Sequence, residues 1–421
     1  MTETLAALVQ SATIAAGRGA WAEAEAGWNR VLARAPRHHQ ALFSLGVHAL
    51  QRNDFPLALE RLAAAGKVAP ADPMIPLTIA VAAGQMGDLD MQWQAIQATL
   101  AIDAYFLPGL LAKGAFEEQS GQGKASALTF ANALKIAPPE SHWPRELAPQ
   151  LRHARQAVTA NAAAFSAHLE RQTEAAVAGL DPLVAGRWRE AASIMTGRTA
   201  PYLSQSNQLH VPRLPAIPFY DRADFPWVAE LEAQTNAIRA ELMAVLAEQA
   251  DEFVPYITYQ PGDPVNQWQA LNHSRRWSTY VLWRSGAPVA ENLARCPQTA
   301  KALAAVEMAD IGGLCPNVMF SALAPHTEIP PHHGETNARL VVHLPLVVPQ
   351  GCSYRVGFEE RKWTEGEVLI FDDTLEHTAR NDSDQLRTVL IFDVWNPLLT
   401  KAEREMVGAM TSAARSHYAP G

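Results

Sequence analysis

"EVLIFDDTLEHTARNDSDQLRTVLIFDVW", Glu367 to Trp395, holds two runs of β-branched and aromatic residues around an acidic turn, a histidine and a polar loop. The first run, Glu367 to Phe371, reads as a strand that ends in Asp372–Asp373; His377 follows, and Arg387 opens the second run. Runs of the same kind precede it: "STYVLW" (278–283), "NVMFSAL" (317–323), "RLVVHLPLVV" (339–348) and "CSYRVGF" (352–358). Glycine, proline and Asn/Asp turns separate them, as they separate strands. Several strands at short spacing with few helices predict a double-stranded β-helix, or jelly roll, rather than a parallel α/β sheet. Before them, "LPAIPFYDRADFPW" leads into one amphipathic helix predicted over 228–249.

The first 140 residues follow a different pattern. "LARAP", "GKVAP" and "LKIAP" place Pro36, Pro70 and Pro138 one and two periods of 34 residues apart. Within that period Gly46, Ala58 and Leu62 fall where a tetratricopeptide-like repeat puts small, small and large residues; Ala24 with Trp28, and Gly114 with Phe130 and Ala133, repeat the pattern. A third unit keeps the period but has Ala104 in place of the proline. Small residues let paired helices approach, and proline ends the second helix. The chain thus divides into a repeat α-solenoid (1–140), a helical connector (141–205), a strand-rich domain (206–400) and a C-terminal helix or tail (401–421), an α plus β protein.

A formal net charge of −9 argues against nucleic acid or an anionic membrane as partner. No apolar run approaches the roughly 20 residues of a bilayer span, and the N-terminus lacks the basic region of a signal peptide. Three well-separated cysteines, Cys296, Cys315 and Cys352, fit reduced thiols. A cytoplasmic location is expected.

Five of the 14 histidines lie between His326 and His377. "PPHHGETNARLVVHLPL" (330–346) carries His332, His333 and His343. A jelly roll can bring histidines from separate strands onto one open mouth. Imidazoles suit iron(II), and an arginine on a neighbouring strand can grip a carboxylate through a bidentate pair. His332, His377 and Arg387 have the layout of a 2-oxoglutarate-dependent oxygenase. A carboxylate two residues after the first histidine would complete a usual iron triad; that position is Gly334 after His332, or Glu335 after His333, and spacing leaves both pairs open.

From about Pro212 to Pro397 the chain resembles the aspartyl/asparaginyl β-hydroxylase family. The landmarks are "WSTYVLWRSG", "FSALAPHTEIPPHHGETNARL", "HLPL" and "WTEGEVLIFDDTLEHTARNDSDQLRTVLIFDVWNP". The resemblance implies iron held by two histidines alone, His332 and His377, with Gly334 in place of the carboxylate. It implies Arg387 and Ser321 at the distal carboxylate of 2-oxoglutarate, His343 at the proximal one, and Trp277 in the substrate pocket. Family members can carry a second arginine two residues before that histidine. Here it is Val341, and Arg339, on the same strand face at period two, is the expected replacement. Asp372 and Asp373 are expected in a turn that orients His377, His326 and His333 outside the ligand set, and Trp363 in packing. The activity implied is oxygen- and 2-oxoglutarate-dependent hydroxylation of a C–H bond, with the β-carbon of Asp or Asn in a polypeptide as first expectation. The alternatives are a small or carrier-tethered amino acid, a lipid acyl chain, or a noncatalytic repeat scaffold. The family commonly joins a tetratricopeptide-like domain to the oxygenase domain, and such repeats present surfaces to polypeptide partners.

Overall fold

The computed structural model describes residues 3–418. The chain forms two compact units, Met1–Ala200 and Pro201–Gly421. The first is all helical. Four antiparallel pairs follow one another: α1 (Leu5–Gly17) with α2 (Trp21–Arg34), α3 (His39–Gln51) with α4 (Phe55–Val68), α5 (Met74–Met86) with α6 (Leu89–Ile102), and α7 (Leu107–Gln119) with α8 (Gly123–Ile136). Then come α9 (Ala148–Ala178) and α10 (Pro182–Met195). Pro36, Pro70 and Pro138 each lie just past the second helix of a pair, as the 34-residue period requires. The small residues work as expected: a Cβ on Gly46 would lie 2.8 Å from Leu62 of the partner helix, and one on Gly114 would enter the ring of Phe130.

The second unit is a jelly roll with peripheral helices. Its strands are β1 (Val254–Pro255), β2 (Trp277–Arg284), β3 (Ala287–Pro288), β4 (Val318–Leu323), β5 (Thr327–His332), β6 (Arg339–Val347), β7 (Cys352–Val356), β8 (Glu359–Arg361), β9 (Leu369–Phe371), β10 (His377–Asn381) and β11 (Arg387–Trp395). A seven-stranded sheet runs β1-β2-β4-β11-β6-β9 with β3 beside β2, and a four-stranded sheet runs β5-β10-β7-β8. Every named pairing is antiparallel.

Period-two alternation divides the large sheet into two faces. Leu340, Val342 and Leu344 of β6, with Phe320, Leu390 and Phe392, pack outward against α11 (Val228–Ala233), α12 (Thr235–Glu248) and α14 (Pro297–Leu303), which follows α13 (Ala290–Arg295). Phe320 and Phe392 are fully buried there, and truncating either to alanine costs about 3–5 kcal/mol. The opposite face meets the small sheet, where Trp277, Leu323, Val341 and Val389 oppose Ile329, Tyr354 and Ala379. The single helix expected over 228–249 is instead two, broken at Gln234. The Thr235 hydroxyl donates to the Glu232 carbonyl across that break. α15 (Lys401–Tyr418) ends the described chain.

Candidate active site

β5 and β10 are antiparallel neighbours whose register makes His332 and His377 direct cross-strand partners. Their ring centroids lie 3.9 Å apart. His332 Nδ1 sits 2.8 Å from the Pro330 carbonyl, and His377 Nδ1 sits 3.0 Å from the Leu375 carbonyl. A carbonyl only accepts, so each Nδ1 carries the proton and each Nε2 keeps a lone pair. Both rings are held neutral. Burial, assisted by the neighbouring His377, lowers His332 to about 3, and burial lowers His377 to about 4.

The second cluster stands on the facing sheet. Arg387, at the start of β11, is 1% exposed, and its Nε and Nη1 have no hydrogen-bond partner among the described residues. Desolvation pulls its guanidinium down to about 10. Ser321 is on β4, one strand over, and its Oγ accepts from Trp277 Nε1 at 3.2 Å. His343, buried on β6, is pushed well below its ordinary value by desolvation and then by Arg387. All of these side chains, with His332 and His377, line one cavity of about 770 Å³.

Arg339 also faces this cavity, as the period-two reading of β6 requires. Its guanidinium is engaged within the protein, 2.8 Å from Asp373, 3.3 Å from Asp393 and 3.6 Å from Glu335. Burial opposes its charge, and Asp373 and Asp393 more than reverse that effect. Asp372 and Asp373 do lie in the turn before His377, but neither carboxylate is hydrogen-bonded to its ring. Asp372 accepts from the Thr374 amide at 3.0 Å and hydroxyl at 2.5 Å, Asp373 turns to Arg339, and the Leu375 carbonyl holds the ring. Gly334 leaves no room for a side chain, because a Cβ there would penetrate the Asp373 carboxylate. Glu335 instead pairs with Arg339 and accepts from Gln208 at 3.2 Å. Among the described residues no third His, Cys, Asp or Glu joins the two histidines in a metal-holding group. His333 lines the cavity, whereas His326 pairs with Asp384 in an exposed loop, 2.9 Å away.

Three features escaped the sequence reading. Trp268 meets His332 edge-on at 5.0 Å, and Tyr256 stacks on Trp277 at 4.1 Å, giving the cavity an aromatic wall. Trp363 touches both His343 and Arg387. An extended strap, 204–211, ties the loop after His332 to the turn before His377. Gln205 donates to the Thr374 carbonyl, Asn207 to the carbonyls of Gly334 and His333, and Gln208 to that of Glu335. Trp363 was expected only in packing, and Trp268 was an unassigned aromatic ahead of β2. The strap has no periodicity to reveal it.

Residues 232–397, which contain all of β1–β11, match the family model described as Aspartyl/Asparaginyl beta-hydroxylase. The chain is 38% identical over 202 residues to an "Ornithine lipid ester-linked acyl 2-hydroxylase" of Rhizobium tropici, covering 47% of this chain and 68% of that protein. It is 33% identical over 186 residues to the human "Aspartyl/asparaginyl beta-hydroxylase", covering 44% of this chain but 23% of that longer protein. A solved structure of MamA from Desulfovibrio magneticus RS-1 is 22% identical, over 32% of this chain and 76% of its own, at a TM-score of 0.30. That likeness is too low to carry an argument. The matched span contains the paired histidines, the buried arginine and the sheets between them, and the Rhizobium match extends over two thirds of its length; the chain belongs to the aspartyl/asparaginyl β-hydroxylase family of hydroxylases.

Proposed function

We propose that the chain is an iron(II)- and 2-oxoglutarate-dependent hydroxylase. His332 and His377 would hold the metal; Arg387 and Ser321 would bind the distal carboxylate of 2-oxoglutarate and His343 the proximal one. The observation that carries this reading is Arg387, a buried guanidinium with Nε and Nη1 unpartnered, in the same cavity as two neutral imidazoles with free Nε2 lone pairs. An unpaired buried cation is costly, and a carboxylate supplies its missing partner in bidentate geometry. The two-imidazole donor set fits iron(II). When bound, iron supplies the reaction of dioxygen with 2-oxoglutarate that yields succinate and carbon dioxide and puts the second oxygen atom into the acceptor C–H bond. The chain's own residues position and shield. The Pro330 and Leu375 carbonyls fix the two rings, while Trp268 and Trp277 pack beside His332.

For the acceptor, the geometry favours an uncharged aliphatic segment. A cross-strand row of Val281, Met319 and Ile391 leads along the cavity floor to His343, with Val341 beside it. An acidic acceptor is held most strongly by a cation within a few ångströms of its carboxylate. Arg339 is engaged by three carboxylates, and Arg284 lies seven residues along β2 from Trp277, roughly 23 Å at strand rise. The Rhizobium relative is named for an acyl chain, in keeping with this reading. The β-carbon of Asp or Asn in a polypeptide is the second reading, favoured by the human relative's name and by a repeat surface suited to recruiting a peptide.

The test is succinate release and oxygen incorporation by mass spectrometry with iron, 2-oxoglutarate and panels of acyl compounds and Asp/Asn peptides. His332→Ala and His377→Ala should each abolish iron-dependent turnover, while His333→Ala retains it. A dead His333→Ala beside an active His332→Ala would overturn the ligand assignment. Oxygen added only to peptides would select the second reading.

A further inference from the structure

The structure assigns to Trp363 the positioning of both carboxylate-binding groups at once, an inference that rests on the proposed binding of 2-oxoglutarate by Arg387 and His343. Trp363 follows β8 and is 5% exposed, held against the Tyr354 ring with centroids 5.4 Å apart. Its indole Nε1 donates to His343 Nδ1 at 3.3 Å. Indole nitrogen is a donor only, so His343 Nδ1 must accept, and its proton sits on Nε2. The bond therefore selects the tautomer whose Nε2–H is a donor available to a carboxylate. A proton on Nδ1 would face the indole N–H and break it.

The same ring covers the second group. The Arg387 guanidinium carbon lies 4.6 Å from the centroid of Trp363. Contact with a π face steadies a cation without consuming any N–H. This accounts for how Arg387 stays ordered while its Nε and Nη1 remain unpartnered. A carboxylate from the protein in that place would have neutralised the charge and occupied the fork. Trp363 thus orients one donor by a hydrogen bond and a second by stacking, and leaves both free for ligand.

The two contacts are separable by substitution. Trp363→Phe keeps a ring over Arg387 and removes the N–H; Trp363→Leu removes both. Binding of 2-oxoglutarate and of 2-oxopentanoate, which lacks the distal carboxylate, is measured by calorimetry on the full-length, Mn(II)-loaded protein, with near-ultraviolet circular dichroism checking the fold. In Trp363→Phe both ligands should weaken by the same factor, about three- to tenfold for one lost hydrogen bond, leaving the ratio of their affinities unchanged. In Trp363→Leu, 2-oxoglutarate should weaken by about a further 30-fold while 2-oxopentanoate does not, so the ratio collapses. A general loosening of the fold would weaken both ligands alike in both variants. Unchanged binding in Trp363→Phe, or a preserved ratio in a folded Trp363→Leu, overturns the assignment. If Trp363→Leu does not fold, Trp363→Phe decides alone: equal weakening of both ligands at a native melting temperature supports the assignment, and unchanged binding, or weakening with a lowered melting temperature, overturns it. If the native protein shows no preference for 2-oxoglutarate over 2-oxopentanoate, the cosubstrate reading itself fails, and the role of Trp363 falls with it.

Discussion

Replacing Arg387 with methionine should stabilise the cosubstrate-free protein and abolish its response to 2-oxoglutarate. Arg387 is 1% exposed, with no partner for Nε or Nη1, and desolvation pulls it from 12.5 to about 10. At neutral pH Arg387 is still charged, so folding must desolvate that charge, and a drop of that size corresponds to a destabilisation of roughly 3 kcal/mol. The sign follows from the direction of the shift: the folded state binds this proton less tightly than the unfolded chain. Methionine fills similar space without the charge. Against the gain stands the lost contact with Trp363, about 0.5–2 kcal/mol. The net expectation is a gain of about 1–3 kcal/mol without ligand. With ligand the gap closes. The native protein gains about 2.7 kcal/mol when 2-oxoglutarate is at 100 times its Kd, whereas losing a buried charge partner costs about 2–5 kcal/mol of affinity and leaves the variant nearly unresponsive. The assay is urea denaturation of the native and Arg387→Met proteins at neutral pH, with Mn(II), with and without 2-oxoglutarate. A variant destabilised by more than about 1 kcal/mol without ligand, or stabilised by ligand as much as the native protein, would refute the reasoning.

Three further outcomes follow from the geometry. With His332 lowered to about 3 and His377 to about 4, both rings stay neutral well below the ordinary histidine range. Co(II) affinity followed by absorbance should therefore stay flat from pH 7.5 to 5.5, where ordinary histidines would each lose about tenfold per unit below 6.5; such a slope would show that burial does not control these rings. Gly334→Ala should cost about 1–3 kcal/mol by overpacking and weaken metal binding, because the new methyl must displace Asp373 from Arg339; a melting temperature equal to the native one would contradict that contact. A chain shortened to begin at Pro201 should retain Co(II) and 2-oxoglutarate binding, whereas one beginning at Pro212 loses the strap hydrogen bonds to Thr374, Gly334 and His333 and should bind metal more weakly; equal affinities would mean the strap does not order the metal loops.

Two kinds of periodicity made much of the fold legible. A 34-residue repeat of small residues and prolines encodes helix pairs, because close helix approach tolerates no side chain at Gly46 or Gly114. β6 and β11 are buried on both faces and so stand out in the sequence as unbroken runs of β-branched and aromatic residues, and strand geometry puts Arg339, Val341 and His343 on one face. The strands that carry the two histidines were not readable in this way. β5 is "TEIPPH", whose two prolines argue against a strand, and it is tolerated because β5 lies at the edge of its sheet. β10 is the short, polar "HTARN". Neither has an apolar period, since the faces they bury are largely polar: His377, Ala379 and Asn381 on β10, Thr327 and Ile329 on β5.

The sequence by itself therefore determined which residue types were available and which of them share a face of a strand or helix, because side-chain direction repeats locally with period two or 3.6. The tertiary structure alone decided their partners. It set His332 opposite His377 by strand register, engaged Arg339 with three carboxylates from β9–β10, β11 and the loop after His332, and left Arg387 without one. Three arginine–carboxylate pairs and one empty guanidinium fork look alike along a chain. They differ only in which distant side chain lies within about 4 Å, and in a low-dielectric interior that distance sets the charge each group can carry.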